Sequence, residues 1–203
     1  PCASRTLLSL RLQRNGLNDD AGLRVMGALS AGRAKALTSL DLASNHLGVE
    51  TAKALDVAFA GCPSLTALDL TDNLLHSQGG CAVARSLGKG SSALTTLRLG
   101  QNFLCEDVDT YAFSADAIEA LAAALGQPSS AVSSLSLERN RICGVEWKFH
   151  AGVWAYDGTY SAVAIHALAG ALVMRRKATA AASAGGRVLP LHVELTGNFV
   201  RPE

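Results

Sequence analysis

Residues 65–75 read LTALDLTDNLL, and this pattern of leucines around one asparagine decides the fold. Alternation along a short strand directs Leu65, Leu68 and Leu70 into a core. Asn73 then turns the chain out of the strand. Because a side-chain amide both donates and accepts hydrogen bonds, we expect Asn73 to satisfy buried backbone groups of a neighbouring coil.

The same eleven-residue pattern occurs five more times along the chain. The last copy is degenerate, because a proline at its first position removes a strand donor. The copies lie at Leu7–Leu17, Leu37–Leu47, Leu94–Leu104, Val132–Ile142 and Pro190–Val200. The six asparagines are Asn15, Asn45, Asn73, Asn102, Asn140 and Asn198, so their separations are 30, 28, 29, 38 and 58 residues. The basic unit is therefore about 29 residues, with extra length late in the chain.

A helical pattern of small residues follows the first five copies. Each predicted helix carries an apolar pair at i and i+4, which places one stripe against the strands. The pairs are Val25 and Leu29, Leu55 and Phe59, Val83 and Leu87, Leu121 and Leu125, and Leu168 and Leu172. Alanine and glycine at the other positions permit neighbouring helices to pack closely.

This alternation resembles the ribonuclease-inhibitor type of leucine-rich repeat, which the Ran GTPase-activating protein and nucleotide-binding leucine-rich-repeat receptors also use. The resemblance extends over nearly the whole chain. It implies an α/β fold, a right-handed solenoid or horseshoe of about six repeats, with a curved parallel sheet inside and helices outside. One horseshoe serves many partners, so the resemblance is specific for architecture and weakly specific for function.

Neither end of the chain shows the polar cap that a solenoid normally carries. We therefore expect residues 1–203 to form a single domain that is either a fragment of a longer chain or is covered at its ends by neighbouring chains. A net charge of +1 supplies no global field for nucleic acid. The longest apolar run, residues 161–174, is shorter than the roughly 20 residues of a membrane span.

The five cysteines form no CxxC pair, and their odd number indicates a reducing, intracellular compartment. Cys105 and Cys143 occupy the same register in adjacent repeats. Equivalent positions on paired strands lie about 4.8 Å apart. A disulfide between them and a pair of packed free thiols are the two alternatives.

Two insertions leave the repeat frame at the same corner. The step from Leu104 to Leu121 is 17 residues where Leu75 to Val83 takes 8, so about nine residues, 105–113, are added. By the same comparison about 18 residues, 143–160, are added to the fifth repeat. We call these two segments the insertion lip. The lip holds seven of the ten aromatic residues of the chain: Tyr111, Phe113, Trp147, Phe149, Trp154, Tyr156 and Tyr160.

A third insertion, at about 178–188, begins with an Ala-, Ser- and Gly-rich run typical of a flexible linker. The cations Arg175–Lys177 before it suit the end of a helix, with a phosphate or an acidic partner as the alternative. Asn18, Asp19 and Asp20 suit a helix N-terminus, with a bound cation as the alternative. A metal at the lip would use Glu106, Asp107, Asp109, His150 and the two cysteines, but these lack a recognisable ligand spacing.

Aromatic side chains are favoured at binding hot spots, so the sequence predicts that the insertion lip grips a protein partner. The alternative is that the lip packs on itself as a satellite core. The concave sheet is a second candidate surface, because outward positions of the first four strands carry Arg11, Asp41, Asp69 and Arg98. Its alternative is a solvated face whose charges pair along the strands.

No nucleophile, acid–base pair or phosphate loop appears with diagnostic spacing. We therefore expect a noncatalytic protein-interaction module without cofactor or metal, held as a scaffold subunit in a larger assembly. The alternative, suggested by the shared repeat type alone, is a GTPase-activating or other regulatory leucine-rich-repeat protein.

Overall fold

The computed structural model describes residues 7–32, 34–89, 93–150, 153–157, 159–181 and 190–198. At 146–150, 153–157 and 179–181 it describes the backbone alone. Six short strands form one parallel sheet in the order β1-β2-β3-β4-β5-β8. They are β1 Ser9–Arg11, β2 Ser39–Asp41, β3 Ala67–Asp69, β4 Thr96–Arg98, β5 Ser134–Ser136 and β8 His192–Glu194. Each strand pairs its predicted central residue with that of the next, which confirms the repeat register.

Helices connect the successive strands of this sheet. They are α1 Asp19–Ser30, α2 Val49–Lys53, α3 Leu55–Gly61, α4 His76–Gly88, α5 Asp116–Leu125 and α6 Val163–Ala181. The predicted α/β solenoid of about six repeats is thus confirmed. Two further strands, β6 Glu146–His150 and β7 Val153–Asp157, pair antiparallel as a separate hairpin.

From the second coil onwards the repeat asparagines bind the preceding coil as predicted, whereas Asn15 in the first coil donates within its own turn. Asn73 is 2% exposed, and its amide donates to Leu70 of its own coil and to Leu42 of the preceding coil, at 3.0 and 3.1 Å. Its Oδ1 accepts the backbone N–H of Leu47 at 3.0 Å. Each such asparagine therefore satisfies buried peptide groups on two coils at once, which the short strands alone would leave unpaired.

The apolar stripes of four of the helices lie in the core, but the prediction for the last helix is wrong at one position. Leu168 of α6 is 4% exposed, whereas Leu172 is 37% exposed. The buried stripe continues instead through Ala171 to Arg175, which is 2% exposed. A helix can place residues three or four apart on one face, so the buried face runs past Leu172 to a position where an arginine finds acceptors.

Close helix packing rests on small residues where coils meet. A Cβ added to Gly61 would lie 2.2 Å from the backbone carbonyl oxygen of Leu29 in the preceding coil. A Cβ at Gly80 would lie 2.6 Å from the Cβ of Ala117 in the following one. These contacts leave no room for a larger side chain, which explains the small-residue pattern between the apolar pairs.

Candidate functional site

Both insertions depart from the solenoid at equivalent residues and return at equivalent residues. The backbone N–H of Ser114 donates to the carbonyl of Cys105 at 3.1 Å, which closes the first insertion. The N–H of Ser161 donates to the carbonyl of Cys143 at 2.9 Å and closes the second in the same way. The sheet and the helices on either side therefore keep the repeat register, and the added residues project from one corner.

The first insertion is a compact loop fastened to α4. Asp107 accepts hydrogen bonds from the backbone N–H groups of Asp109 and Thr110, and from the Thr110 hydroxyl, at 2.8 to 3.1 Å. Its other oxygen accepts the Gln78 amide at 2.6 Å, and Gln78 accepts from Val108 in return. The bonds from Thr110, followed by those from Asp109 and Gln78, lower the pKa of Asp107 and keep it ionised.

The two insertions meet at their bases. Arg141, just before the second insertion, donates to the carboxylate of Glu106 in the first. Phe113 packs against Gly144, where an added Cβ would lie 3.1 Å from the ring. The His76 Nδ1 lies 3.8 Å from the other Glu106 oxygen. The lip is thus one connected structure at its base and not two independent loops.

The second insertion is an antiparallel hairpin with an unequal distribution of residue types. Trp147 pairs with Tyr156, and Phe149 pairs with Trp154. Directly paired positions, and positions two apart, lie on the same face of a two-stranded ribbon. All four aromatic positions therefore share one face. The other face carries Glu146, Lys148, His150, Val153, Ala155 and Asp157.

The remaining aromatic residues of the lip differ in exposure. Tyr111 is 68% exposed and Phe113 is 37% exposed. Tyr160 is partly buried at the base, where it hydrogen-bonds the Cys143 thiol. Two exposed apolar residues that the sequence reasoning missed, Leu74 and Phe103, lie on the adjoining coils. Their signal was available, since each follows a conspicuous repeat asparagine where the pattern demands no apolar residue.

The concave sheet brings together the four charged residues that the spacing placed on adjacent strands. Arg11, Asp41, Asp69 and Arg98 line a polar depression of about 170 Å³, floored by Ser39, Ala67 and Thr96. Arg98 lies 3.3 Å from Asp69, and its side chain is 60% exposed. A solvated ion pair of this kind contributes little to stability, and the exposed Arg98 side chain is accessible to a partner.

A family model described as leucine-rich repeat matches residues 3–25, 35–55 and 61–84. The matched segments are three of the six coils, and the spacing, the asparagine bonds and the sheet extend the same unit through the rest. The chain is a leucine-rich-repeat protein of the ribonuclease-inhibitor type. No curated protein sequence matches it. Within the residues that the structure describes, no helix of this leucine-rich-repeat protein is both long and apolar enough to cross a membrane.

Cys105 and Cys143 of the leucine-rich-repeat protein are free thiols, so the disulfide alternative is not what the structure has. Both are buried. Burial and the neighbouring Cys143 raise the pKa of Cys105 to about 12, and burial raises that of Cys143. Such thiols carry little thiolate and react slowly. Cys62 and Cys81 are free as well, and Cys2 lies outside the described residues.

The metal alternative for the lip gains no support. Glu106 is bound to Arg141, and both Asp107 oxygens accept hydrogen bonds. Among the side chains that the structure describes, no three His, Cys, Asp or Glu residues converge on a point where an ion could bind. The side chain of His150 lies outside that set.

The predictions that Arg175–Lys177 end a helix and that a linker begins at residue 178 are wrong, because α6 extends to Ala181. Arg175 therefore lies inside the helix and not at its end. It donates to the carbonyl oxygens of Leu125, the last residue of α5, and of Ser130 in the loop that follows, both at 3.1 Å. The bond to Leu125 satisfies a carbonyl that the helix end leaves unpaired. Residues 178–181, expected to begin a linker, are helical, and 182–189 lie outside the described residues.

Asn18 and Asp19, at the start of α1, form hydrogen bonds to different helices. Asn18 caps its own helix by accepting from the N–H of Ala21 at 3.1 Å. Asp19 instead binds the next coil, where it accepts from the N–H groups of Gly48 and Thr51 and from the Thr51 hydroxyl, at 2.5 to 3.0 Å. Hydrogen bonding to the next helix accounts for Asp19 without a bound cation.

Proposed function

We propose that this leucine-rich-repeat protein is a noncatalytic module that holds a protein partner, as a scaffold subunit of a larger intracellular assembly. The insertion lip grips the partner, and the concave depression lined by Arg11, Asp41, Asp69 and Arg98 is a second contact. Residues 1–203 act as one domain, with the insertions at about 105–113, 143–160 and 178–188 as additions to it.

The hairpin carries this proposal. Four aromatic positions share one face of β6 and β7, and in the part of the chain that the structure describes neither strand pairs with the six-stranded sheet. Solenoid packing does not require these residues. Burying Trp, Tyr and Phe gives a large apolar contact for a small loss of side-chain freedom, which suits them to a binding surface.

The alternative, a lip that packs on itself, predicts different behaviour of the same variants. Trp147→Ala or Trp154→Ala should weaken association with the co-purified native partner by about 2 kcal/mol or more, which is roughly a thirtyfold rise in Kd, and leave Tm nearly unchanged. Lys148→Ala, on the opposite face of the same strand, is the matched control. A self-packed lip gives the reverse, with lowered Tm and intact binding.

Charge reversal at Arg98 or Asp69 separates the two surfaces. If the lip supplies the anchor, Arg98→Glu and Asp69→Lys change the association rate and its salt dependence more than the dissociation rate. Loss of association in these two variants, together with unchanged association in Trp147→Ala and Trp154→Ala, would transfer the site to the concave sheet.

A further inference from the structure

Exposed apolar residues continue from the first insertion onto the edge of the solenoid. Leu74 and Phe103 occupy equivalent positions on adjacent coils, and each is 42% exposed. Glu106 follows Phe103 in a turn closed by a 2.9 Å backbone hydrogen bond, and it also bridges to Phe113. Tyr111 stands at the tip of the same loop. We call Leu74, Phe103, Tyr111 and Phe113 the aromatic rim.

The backbone of the rim holds two of its aromatic residues in an uncommon conformation. Phe103 and Tyr111 both have φ of 56°, in the left-handed region that bulky side chains avoid. The ring of Phe103 stacks on His76 with centroids 5.4 Å apart. The fold therefore holds large apolar side chains exposed at the surface, and exposed apolar groups on one edge of a protein indicate an interaction site.

Carboxylates border this apolar patch. Asp72 precedes the asparagine next to Leu74 and is exposed, Asp107 forms the base of the loop, and Asp109 is exposed near its tip. Among the side chains that the structure describes, Arg141 is a cation at the lip base, and it is bound to Glu106. Arg139, in the same fifth coil as Arg141, points away toward the sixth coil, where it lies beside Gly197. The described side chains that border the rim are thus mainly acidic, although the whole chain is close to neutral.

We propose that the aromatic rim binds a basic, apolar-anchored peptide segment of the partner, in which lysine or arginine alternates with aliphatic side chains. The apolar residues of the segment pack on the rim, and its cations lie against Asp72 and Asp109 or over the exposed aromatic faces. The same carboxylates repel nucleic acid and anionic lipid. This inference rests on the proposed function and specifies the chemistry of the partner.

Three fluorescein-labelled peptides of about 12 residues test the rim by fluorescence anisotropy with the full chain. One alternates lysine with leucine, one glutamate with leucine, and one lysine with serine. We expect the lysine–leucine peptide to bind, and the other two to bind about tenfold more weakly or worse, because each lacks one of the two complementary features. Raising the salt concentration should weaken the lysine–leucine peptide.

Matched variants locate the binding on the rim. Tyr111→Ser and Asp109→Asn should each weaken the lysine–leucine peptide about fivefold or more. Val57→Ser and Asp20→Asn remove an exposed apolar residue and an exposed carboxylate from distant helices, and they should leave binding unchanged. Far-ultraviolet circular dichroism checks that all four variants remain folded.

Absence of lysine–leucine binding, equal binding of the glutamate–leucine peptide, or equal losses in the distant variants would overturn the proposal. The native partner then distinguishes the two levels of inference. If Trp154→Ala abolishes association with that partner while Tyr111→Ser and Asp109→Asn behave as wild type with partner and peptides alike, the lip binds by other chemistry and only the rim proposal fails. If no lip variant affects the partner, the proposed function fails as well.

Discussion

Coils one to three and coils four and five share the repeat asparagines but differ at the corner that follows the asparagine. In coils one to three the chain passes directly from the asparagine into a helix. In coils four and five it leaves for the insertion lip and returns through the paired backbone bonds at Cys105 and Cys143. The sheet runs through both groups of coils in unbroken register.

This difference shows where a solenoid of this type tolerates added chain. The strands and asparagines bind adjacent coils on both sides, so an extra residue there would break contacts with two neighbours. At the corner, one backbone hydrogen bond closes each insertion, and a helix follows as in the other coils. Loop closure becomes only slowly more costly with length, so a surface insertion at this corner is inexpensive.

Replacing a buried repeat asparagine should cause the largest loss of stability. The loss should be equal in a coil without an insertion and in a coil with one. Asn73→Ala and Asn140→Ala should each lower the free energy of unfolding by about 3 kcal/mol, because each leaves several buried peptide groups without partners. The Asn140 Oδ1 accepts from Asn102 and Leu104, and its amide donates to Leu99 at 2.8 Å. Urea unfolding measures the losses.

Asn15 is the control for the buried repeat asparagines. It holds the same place in the first coil but is exposed, and within the described part of the chain its amide donates to Gln13 of its own turn and to no other coil. Asn15→Ala should cost a few tenths of a kcal/mol. A much smaller loss at Asn140 than at Asn73 would mean that the insertions weaken the asparagine bonds between coils. The coils with insertions would then differ from the others in the core as well as at the corner.

Spacing alone predicted the strands, the asparagine bonds and the corner of the insertions, because each depends on a position that repeats. In a strand, a register shift of one residue would turn a side chain from the core to the opposite face of the sheet. Two helix details escaped it. The Val49–Gly61 segment divides into α2 and α3 at Ala54, and the fifth helix buries Arg175 in place of Leu172. A buried arginine needs acceptors from another coil, which its own helix does not reveal.

The candidate site was less accessible to sequence reasoning. The strong alternation of aromatic and other residues at 147–149 and 154–156 is typical of strands and could have indicated the hairpin. Leu74 and Phe103 could have been noticed as apolar residues at an outward position. The bonds of Asp19 could not have been predicted, because its partners Gly48 and Thr51 become its neighbours only when two coils stack.

A smaller effect should separate tightly packed helices from loosely packed ones. Gly61→Ala should lower the free energy of unfolding by about 2 kcal/mol, because the new methyl group would meet the Leu29 carbonyl. Gly170→Ala in α6 should be neutral or stabilise by up to about 1 kcal/mol, since nothing lies within 4 Å of its added Cβ and alanine favours a helix. Thermal unfolding of the two variants measures the contrast. Equal losses would show that helix packing is uniform along the solenoid.

The smallest effect concerns the contact between coils one and two, where Asp19 binds the N-terminus of α2. Burial would raise the pKa of Asp19, but the hydrogen bonds from Thr51, Gly48 and Glu50 together lower it below its usual value. A carboxyl group whose pKa is lower in the folded chain stabilises folding at neutral pH, and that contribution disappears as the pH falls through its folded pKa. At the corresponding corner of coils three and four, Ser77 and Ser114 pair through hydroxyl groups 3.0 Å apart, and this contact does not titrate.

Asp19→Asn should therefore cost about 1 kcal/mol at pH 7, as expected for weakening a helix cap. The difference from wild type should shrink below about pH 4 and vanish under more acid conditions, since protonated Asp19 is then as neutral as asparagine. Urea unfolding of both proteins at several pH values measures this, with Asp20→Asn as the exposed control. Amide exchange should show α2 losing protection on acidification before α4 does. A difference that stays constant with pH would show that Asp19 acts through its shape and not its charge, and the two corners would then be equivalent.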